Sequence, residues 1–291
     1  MRNKSRVESR ESRAKVFSPK SKVQSPKFQE RGKNAPLAAH RSSLIFGVLP
    51  VLESLRAGGR RIEKILIADG ARERRLNEVL DLAREKGIPF EKTARADFSR
   101  YVEPEANHQG VIAFAAAAEY ADAEELLNEI AARENSLSIV LDGVEDPRNF
   151  GAILRTAECA GVAGVFIPER RAVGLTEIVA KTSAGATEYV KIAKVTNISR
   201  LLEELKERGI WTIGTSMDAE KNYTDWDWTQ KNALILGGEG RGLHRLVAEK
   251  CDALVKIPML GRIESLNVSV AAGVILYEAV RQQNKKMENG E

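Results

Sequence analysis

Three short stretches of the chain gather residues able to handle a proton or an anion. The first, "DPRNFGAILR" from Asp146 to Arg155, sets Asn149, Gly151 and Arg155 along one predicted helix. Gly151 and Arg155 are i and i+4, so a position without a side chain lies one turn beneath a guanidinium, near the positive end of the helix. Two readings of that face stay open: a notch for an anion or a hydroxyl, or a solvated Arg155 paired with Glu158 at i+3. The second stretch, "LILGGEGRGL" from Leu234 to Leu243, puts Glu239 between glycines at the end of an apolar run. A plain turn would be satisfied there by Asn or Asp, so Glu239 is either a solvated turn acid or a site carboxylate. The stretch lacks the Lys-Ser/Thr ending of a phosphate-binding loop, and the third glycine of a dinucleotide fingerprint would fall on Leu243. The third, "MLGRIESLNVSV" from Met259 to Val270, alternates Ser265, Asn267 and Ser269 with Leu266, Val268 and Val270. It opens a helix that is apolar nearly all round through Leu276 and is therefore expected to be deeply buried. Buried hydroxyl and amide groups need partners; a helix cap accounts for one of them, and three point to a polar pocket.

Each stretch must be held by the element before it. "SIVLDGV", "GVFIP", "TIGTS", "ALILGG" and "ALVKIP" are apolar strand candidates separated by helical segments. The clearest of these segments is Ile198 to Arg208, with Ile198, Leu201, Leu202 and Leu205 on one stripe. Strands of this kind predict an α/β fold with a parallel sheet covered on both faces. Ligands in such sheets bind beyond the carboxyl ends of the strands, which places all three stretches on one rim. Locally, Pro147 stops the first strand, Asn149 is expected to cap the following helix and Gly161 to end it. A smaller α/β domain over residues 42–118 precedes this one. It has strand candidates "KILIAD" and "GVIAFAAA", and a helix with Leu76, Val79, Leu80 and Ala83 on one face. Residues 119–134, acidic and helical in pattern, read as a bridge to the domain of residues 135–291.

The chain has 291 residues, 43% of them hydrophobic, enough to build a cavity in two domains. No apolar run approaches a membrane span and no signal-peptide core opens the sequence, so a cytoplasmic protein is expected. Cys159 and Cys251 stand apart, without a CxxC or Cys/His cluster; no metal site is expected, and both read as buried thiols. Residues 1–40 hold eleven basic residues against three acidic, a net +8, leaving the remainder at −4. This basic tail, residues 1–41, is too poor in aliphatics to fold alone. It reads equally as a solubilising terminus or as an arm that tracks phosphates; its glutamates and lack of an amphipathic stripe count against a transit peptide. His108 and His244 read as polar loop residues.

"NFGAILR" fits the N-x-G-x-x-x-R first motif of the SpoU group of RNA ribose 2'-O-methyltransferases, within the SPOUT superfamily. "LILGGEGRGL" resembles the second motif of that group and "IPMLGRIESLNVSVAAGVILYEAVRQ" the third, in order. The front domain, with "IFGVLPVLESL" and "NHQGVIAFAA", is similar to the ribosomal-protein-like RNA-binding domain that precedes the catalytic domain in many members. The resemblance implies a trefoil-knotted catalytic domain, a homodimer with active sites at the subunit interface, and S-adenosylmethionine bound in the knot. Residue by residue, it implies cofactor contacts at Gly237, Ile257 and Leu266. It places Arg155 on the ribose hydroxyl, with Asn149, Glu239, Ser265 and Asn267 completing the catalytic site. The likeness is nearest to enzymes that methylate a guanosine ribose in 23S ribosomal RNA. A transfer RNA ribose methyltransferase, an antibiotic-resistance methyltransferase of similar fold, and a non-catalytic RNA-binding or ribosome-assembly factor remain alternatives.

Overall fold

The computed structural model describes residues 43–289, apart from 73, 104 and 171. The basic tail, residues 1–41, lies outside the described residues. The chain opens with β1 (Ser43–Phe46), α1 (Val48–Ala57), β2 (Ile62–Ala68), α2 (Leu76–Glu85), β3 (Phe90–Thr93) and β4 (Val111–Ala115). The strands form one sheet in the order β1-β4-β2-β3, with β4 antiparallel to both neighbours and β2 parallel to β3. The face expected on α2 is the face that packs: Leu76, Val79 and Ala83 are buried and Leu80 half-buried.

The second sheet follows α3 (Ala123–Ala132). Its elements are β5 (Leu137–Asp142), α4 (Pro147–Cys159), β6 (Gly164–Pro168), α5 (Glu177–Thr182), β7 (Ile192–Val195), α6 (Ile198–Glu207), β8 (Trp211–Thr215), β9 (Lys221–Asn222), β10 (Asn232–Gly237), α7 (Arg245–Lys250), β11 (Ala253–Lys256) and α8 (Val268–Asn289). Seven parallel strands lie in the order β7-β6-β5-β10-β8-β11-β9. The five apolar strand candidates form the middle of this sheet. The two edges, β7 and β9, are short and carry lysines, so they show no apolar run. Alternate residues of β5 feed opposite faces. Ile139 and Leu141 join Phe150, Ile153 and Ile275 beneath α4 and α8, while Val140 joins Leu126, Ile130, Leu202 and Leu205 beneath α3 and α6. Thus α3, read from sequence as a bridge, buries Leu126, Leu127 and Ile130 in the second sheet's core.

The front domain is fastened close to the helices that carry the first motif. The Glu188 carboxylate, 2% exposed, accepts from Arg60 Nε at 3.0 Å and from Ser54 Oγ at 3.3 Å, and Lys181 on α5 donates to Gln109. Gly185, at φ +94, leaves room for Glu53, whose side chain a Cβ there would meet at 2.6 Å.

Two sequence expectations need correction. Helix α8 is not buried all round, because Val270 and Tyr277 are 50% and 53% exposed. Its outer face has no cover among the described residues. The cap of α4 is Asp146, which accepts from Arg148 N–H at 2.7 Å, with Pro147 in the first turn. Pro147 has no N–H to satisfy and fits the first helical position, which moves the cap one residue ahead of it. Asn149 is thereby released for other work. Gly161, at φ +68, does end the helix: its N–H reaches Glu158 and that of Val162 reaches Ala157.

Candidate active site

Asn149 is the joint between the three motifs. Its Nδ2 donates to Glu239 Oε1, and its Oδ1 accepts from Asn267 Nδ2 at 2.9 Å. Each side chain comes from beyond a strand's carboxyl end: Asn149 from the first turn of α4, Glu239 from the loop after β10, Asn267 from just before α8. Asn267 is held in turn, since its Oδ1 caps α8 by accepting from Ser269 N–H at 2.9 Å and Ser269 Oγ at 2.6 Å. The polar group expected at that mouth is therefore real, but it is open to solvent rather than enclosed, with Ser265 and Asn267 both exposed. The triad ends on the Glu239 carboxylate, an acceptor beside two amides, at the surface of a cleft.

That cleft, of about 630 Å³, is lined by Gly237, Glu239, Ile257, Ser265, Leu266 and Asn267. The end of β8 and the turn after it, Thr215 to Asp218, form a further wall that the sequence motifs do not mark. The only signal for it is its place at the carboxyl end of "TIGTS". The floor is glycine because nothing else fits. A Cβ on Gly237 would lie 2.1 Å from the Gly242 carbonyl carbon, and one on Gly238 would lie 2.2 Å from the Gly143 oxygen. Gly240 and Gly242 take positive φ, so the loop folds back on its own strand.

Arg155 is not part of this arrangement. It is exposed, and among the described residues it has no hydrogen-bond or ion-pair partner, Glu158 included. The expected notch at Gly151 is also absent, because α5 fills it. Gly151 is buried, and a Cβ there would meet Thr182 Cβ at 2.7 Å and the Val179 oxygen at 3.0 Å. Its lack of a side chain serves helix packing. The thiols depart from expectation as well: Cys159 is exposed, and only Cys251 is largely shielded, burial pushing its pKa up to about 12. His108 packs its ring 4.6 Å from Phe98 and accepts from Gly110 N–H within the front domain. No group of metal-binding side chains occurs among the described residues, and no helix of theirs is long and apolar enough to cross a membrane.

Residues 136–277 match the SpoU rRNA methylase family, and residues 44–121 match the RNA 2'-O ribose methyltransferase substrate-binding domain. A TrmH-family tRNA/rRNA methyltransferase relative, YacO of Bacillus subtilis (strain 168), is 43% identical over 241 residues, 82% of this chain and 96% of its own. The chain belongs to the SpoU family of RNA methyltransferases. A Staphylococcus aureus (strain COL) member is 42% identical over 227 residues, 78% of this chain and 91% of its own. A crystal structure of an RNA 2'-O ribose methyltransferase superposes with a TM-score of 0.71 at 27% identity, covering 84% of this chain and 90% of that one. The SpoU methyltransferase AviRb of Streptomyces viridochromogenes, solved with AdoMet, gives 0.69 at 26%, covering 84% and 91%.

SpoU methyltransferases use S-adenosylmethionine, and the cleft beside Glu239 suits it. Leu236, Ile257, Leu266 and Ile275 offer apolar surface for an adenine, and Asp218 and Glu264 offer carboxylates for hydroxyl and ammonium groups. The cofactor has no pyrophosphate, which accounts for the missing dinucleotide fingerprint. Replacing Gly237 by alanine is expected to abolish cofactor binding measured by calorimetry, because the methyl group would need the Gly242 backbone to move. An affinity within about twofold of the parent protein would show that the loop gives way.

Proposed function

We propose that the protein transfers a methyl group from S-adenosylmethionine to a ribose 2'-hydroxyl of structured RNA, with a guanosine of 23S ribosomal RNA as the target. The observation that carries the reading is the bond from Asn149 to both Glu239 and Asn267, which joins three separate motifs at the mouth of the cofactor cleft. Bound there, the cofactor supplies an already activated methyl group on a sulfonium. The chain's task is then to align the 2'-oxygen and to ease the loss of its proton. Glu239 accepts a hydrogen bond from that hydroxyl, Asn149 and Asn267 hold the carboxylate in place, and Ser265 supports the ribose from the cleft wall. Gly237, Ile257 and Leu266 hold the cofactor, and the crowding of residues 215–218, 237–243 and 256–268 round one cleft supports a trefoil crossing there. The front domain holds RNA by shape, phosphates and 2'-hydroxyls, in the cytoplasm where ribosomal RNA is assembled. Mapping 2'-O-methyl sites in ribosomal and transfer RNA from cells with and without the gene tests the reading. Loss of one ribosomal guanosine mark is expected; loss of a transfer RNA mark would move the substrate, and no change in either would point to a non-catalytic role.

The same reading makes the protein a homodimer. Leu260, Ile263 and Leu266 are 99%, 78% and 40% exposed, and Val270 and Tyr277, seven residues apart on α8, extend the apolar surface. Exposed apolar side chains concentrated between Leu260 and Tyr277, beside a catalytic rim, fit a self-complementary interface. Sedimentation of the double variant Val270→Asp, Tyr277→Asp should give a monomer where the parent gives a dimer; a dimeric variant would place the interface elsewhere.

A further inference from the structure

Next to the triad lies a second cleft, of about 700 Å³, for which the reaction above has no use. It opens beyond the carboxyl ends of β5 and β6 and shares Gly238, Glu239, Arg241 and Gly242 with the cofactor cleft. Glu239 therefore stands on the boundary between the two. Pro168 and the buried Ile198 give the second cleft apolar surface, while Glu145, Arg170, Arg241 and His244 give it a polar rim.

His244 is built into that rim. Its backbone N–H donates to Asp142 Oδ2 at 2.7 Å, and its Nδ1 lies 2.9 Å from Asp142 Oδ1. The Asp142 side chain is 5% exposed and that of His244 is 61% exposed. A carboxylate can only accept, so Nδ1 carries the proton and Nε2 is the ring nitrogen left for a ligand on the open side. The ring also rests against the backbone, with Cε1 at 3.5 Å from where a Gly143 Cβ would stand. A solvated loop histidine needs no buried carboxylate with both oxygens committed to it.

The chemistry of the rim selects the ligand. Glu145 and Glu239 lie among the arginines, a poor setting for a bare phosphate. A nucleobase presents a flat face to Pro168 and Ile198, and donors and acceptors on its edges to carboxylate, guanidinium and imidazole. We propose that this cleft takes the base of the nucleotide whose ribose is methylated, turned out of its stack, with His244 Nε2 and Arg170 binding its edges. The ribose then lies at Glu239, between the base on one side and the cofactor on the other. This inference rests on the RNA 2'-O-methyltransferase reading.

The test uses the full chain, labelled S-adenosylmethionine, and whichever of a large-subunit ribosomal RNA transcript or bulk transfer RNA the parent methylates. His244→Ala and Arg170→Ala should each raise the KM for RNA about tenfold, the cost of an edge contact, with kcat and cofactor affinity within about twofold. The salt dependence of RNA binding should stay parallel to the parent's in Arg170→Ala, because a base contact releases no counterion. An unchanged KM in both variants overturns the proposal, as does a salt slope reduced by about one, the mark of a phosphate contact. A fall in kcat at constant KM overturns it too, by moving these residues into the chemistry. Should His244→Ala disturb the loop and lose cofactor binding, Arg170→Ala, exposed and outside the Asp142 network, decides alone. Failure of the parent to methylate either RNA removes the functional reading itself, and the base site with it.

Discussion

Substituting Asn149 by alanine is expected to lower kcat for methyl transfer by about 10²-fold or more, the range for removing a positioned proton-handling arrangement. Fold and cofactor affinity should be nearly unchanged. The effect follows from one side chain serving two others: without Nδ2 the Glu239 carboxylate loses its fixed donor, and without Oδ1 the Asn267 amide loses its acceptor. Both partners are exposed, so released they hydrate and rotate rather than destabilise the core. Asn149 does not cap α4, a task that Asp146 performs, so helix stability is not at stake. Asn149→Asp sharpens the test. It is nearly isosteric but sets a second carboxylate against Glu239, and it should be as damaging as alanine. Single-turnover transfer from labelled cofactor, with calorimetry for binding, separates the cases. A kcat within about threefold of the parent in Asn149→Ala would remove the triad from the mechanism.

Much of this site was legible because its residues interrupt strong local patterns. Asn149, Glu239 and Asn267 each follow an apolar strand or precede an apolar helix, and the rule that parallel sheets bind ligands at carboxyl ends brought them to one rim before any contact was known. What sequence could not supply was the pairing itself, which depends on the order β6-β5-β10-β8-β11 and on loops meeting across it. The misreadings share a cause. Gly151 and Arg155 were joined by helical periodicity, which tells which positions share a face and not what packs on it; α5 does. The apolar run of α8 implied burial, yet Tyr277 and Val270 face out, because composition does not say whether the cover comes from the same chain. His244 does lie in the loop before α7, as its sequence context indicates, but its anchor, Asp142, lies 102 positions away and no local pattern points to it.

Arg155→Ala is expected to reduce kcat by about 10²-fold with cofactor binding intact, the scale for losing a cation aimed at developing negative charge. Arg155→Lys should fall between, keeping the charge but not the planar fork. A guanidinium stays protonated, so the role we propose for Arg155 is to stabilise the 2'-oxygen as it loses its proton and to orient a neighbouring phosphate. The difficulty is position. Arg155 lies six positions beyond Asn149 on α4, about 9 Å along the axis and about 120° around it. Side chains so placed do not converge on one ribose of their own chain. The exposed apolar rim beside Asn267 suggests the resolution we propose: in the proposed dimer, Arg155 of one protomer would reach the triad of the other. Mixing decides it. Asn149→Ala and Arg155→Ala are each expected to be nearly inactive alone. Dimers carrying one of each should recover about half the parent activity, because a two-fold axis collects both lesions in one site and leaves the other whole. Mixed dimers as inactive as their parents would return Arg155 to its own chain's site. Near-parental turnover by Arg155→Ala alone would take the arginine out of the reaction altogether.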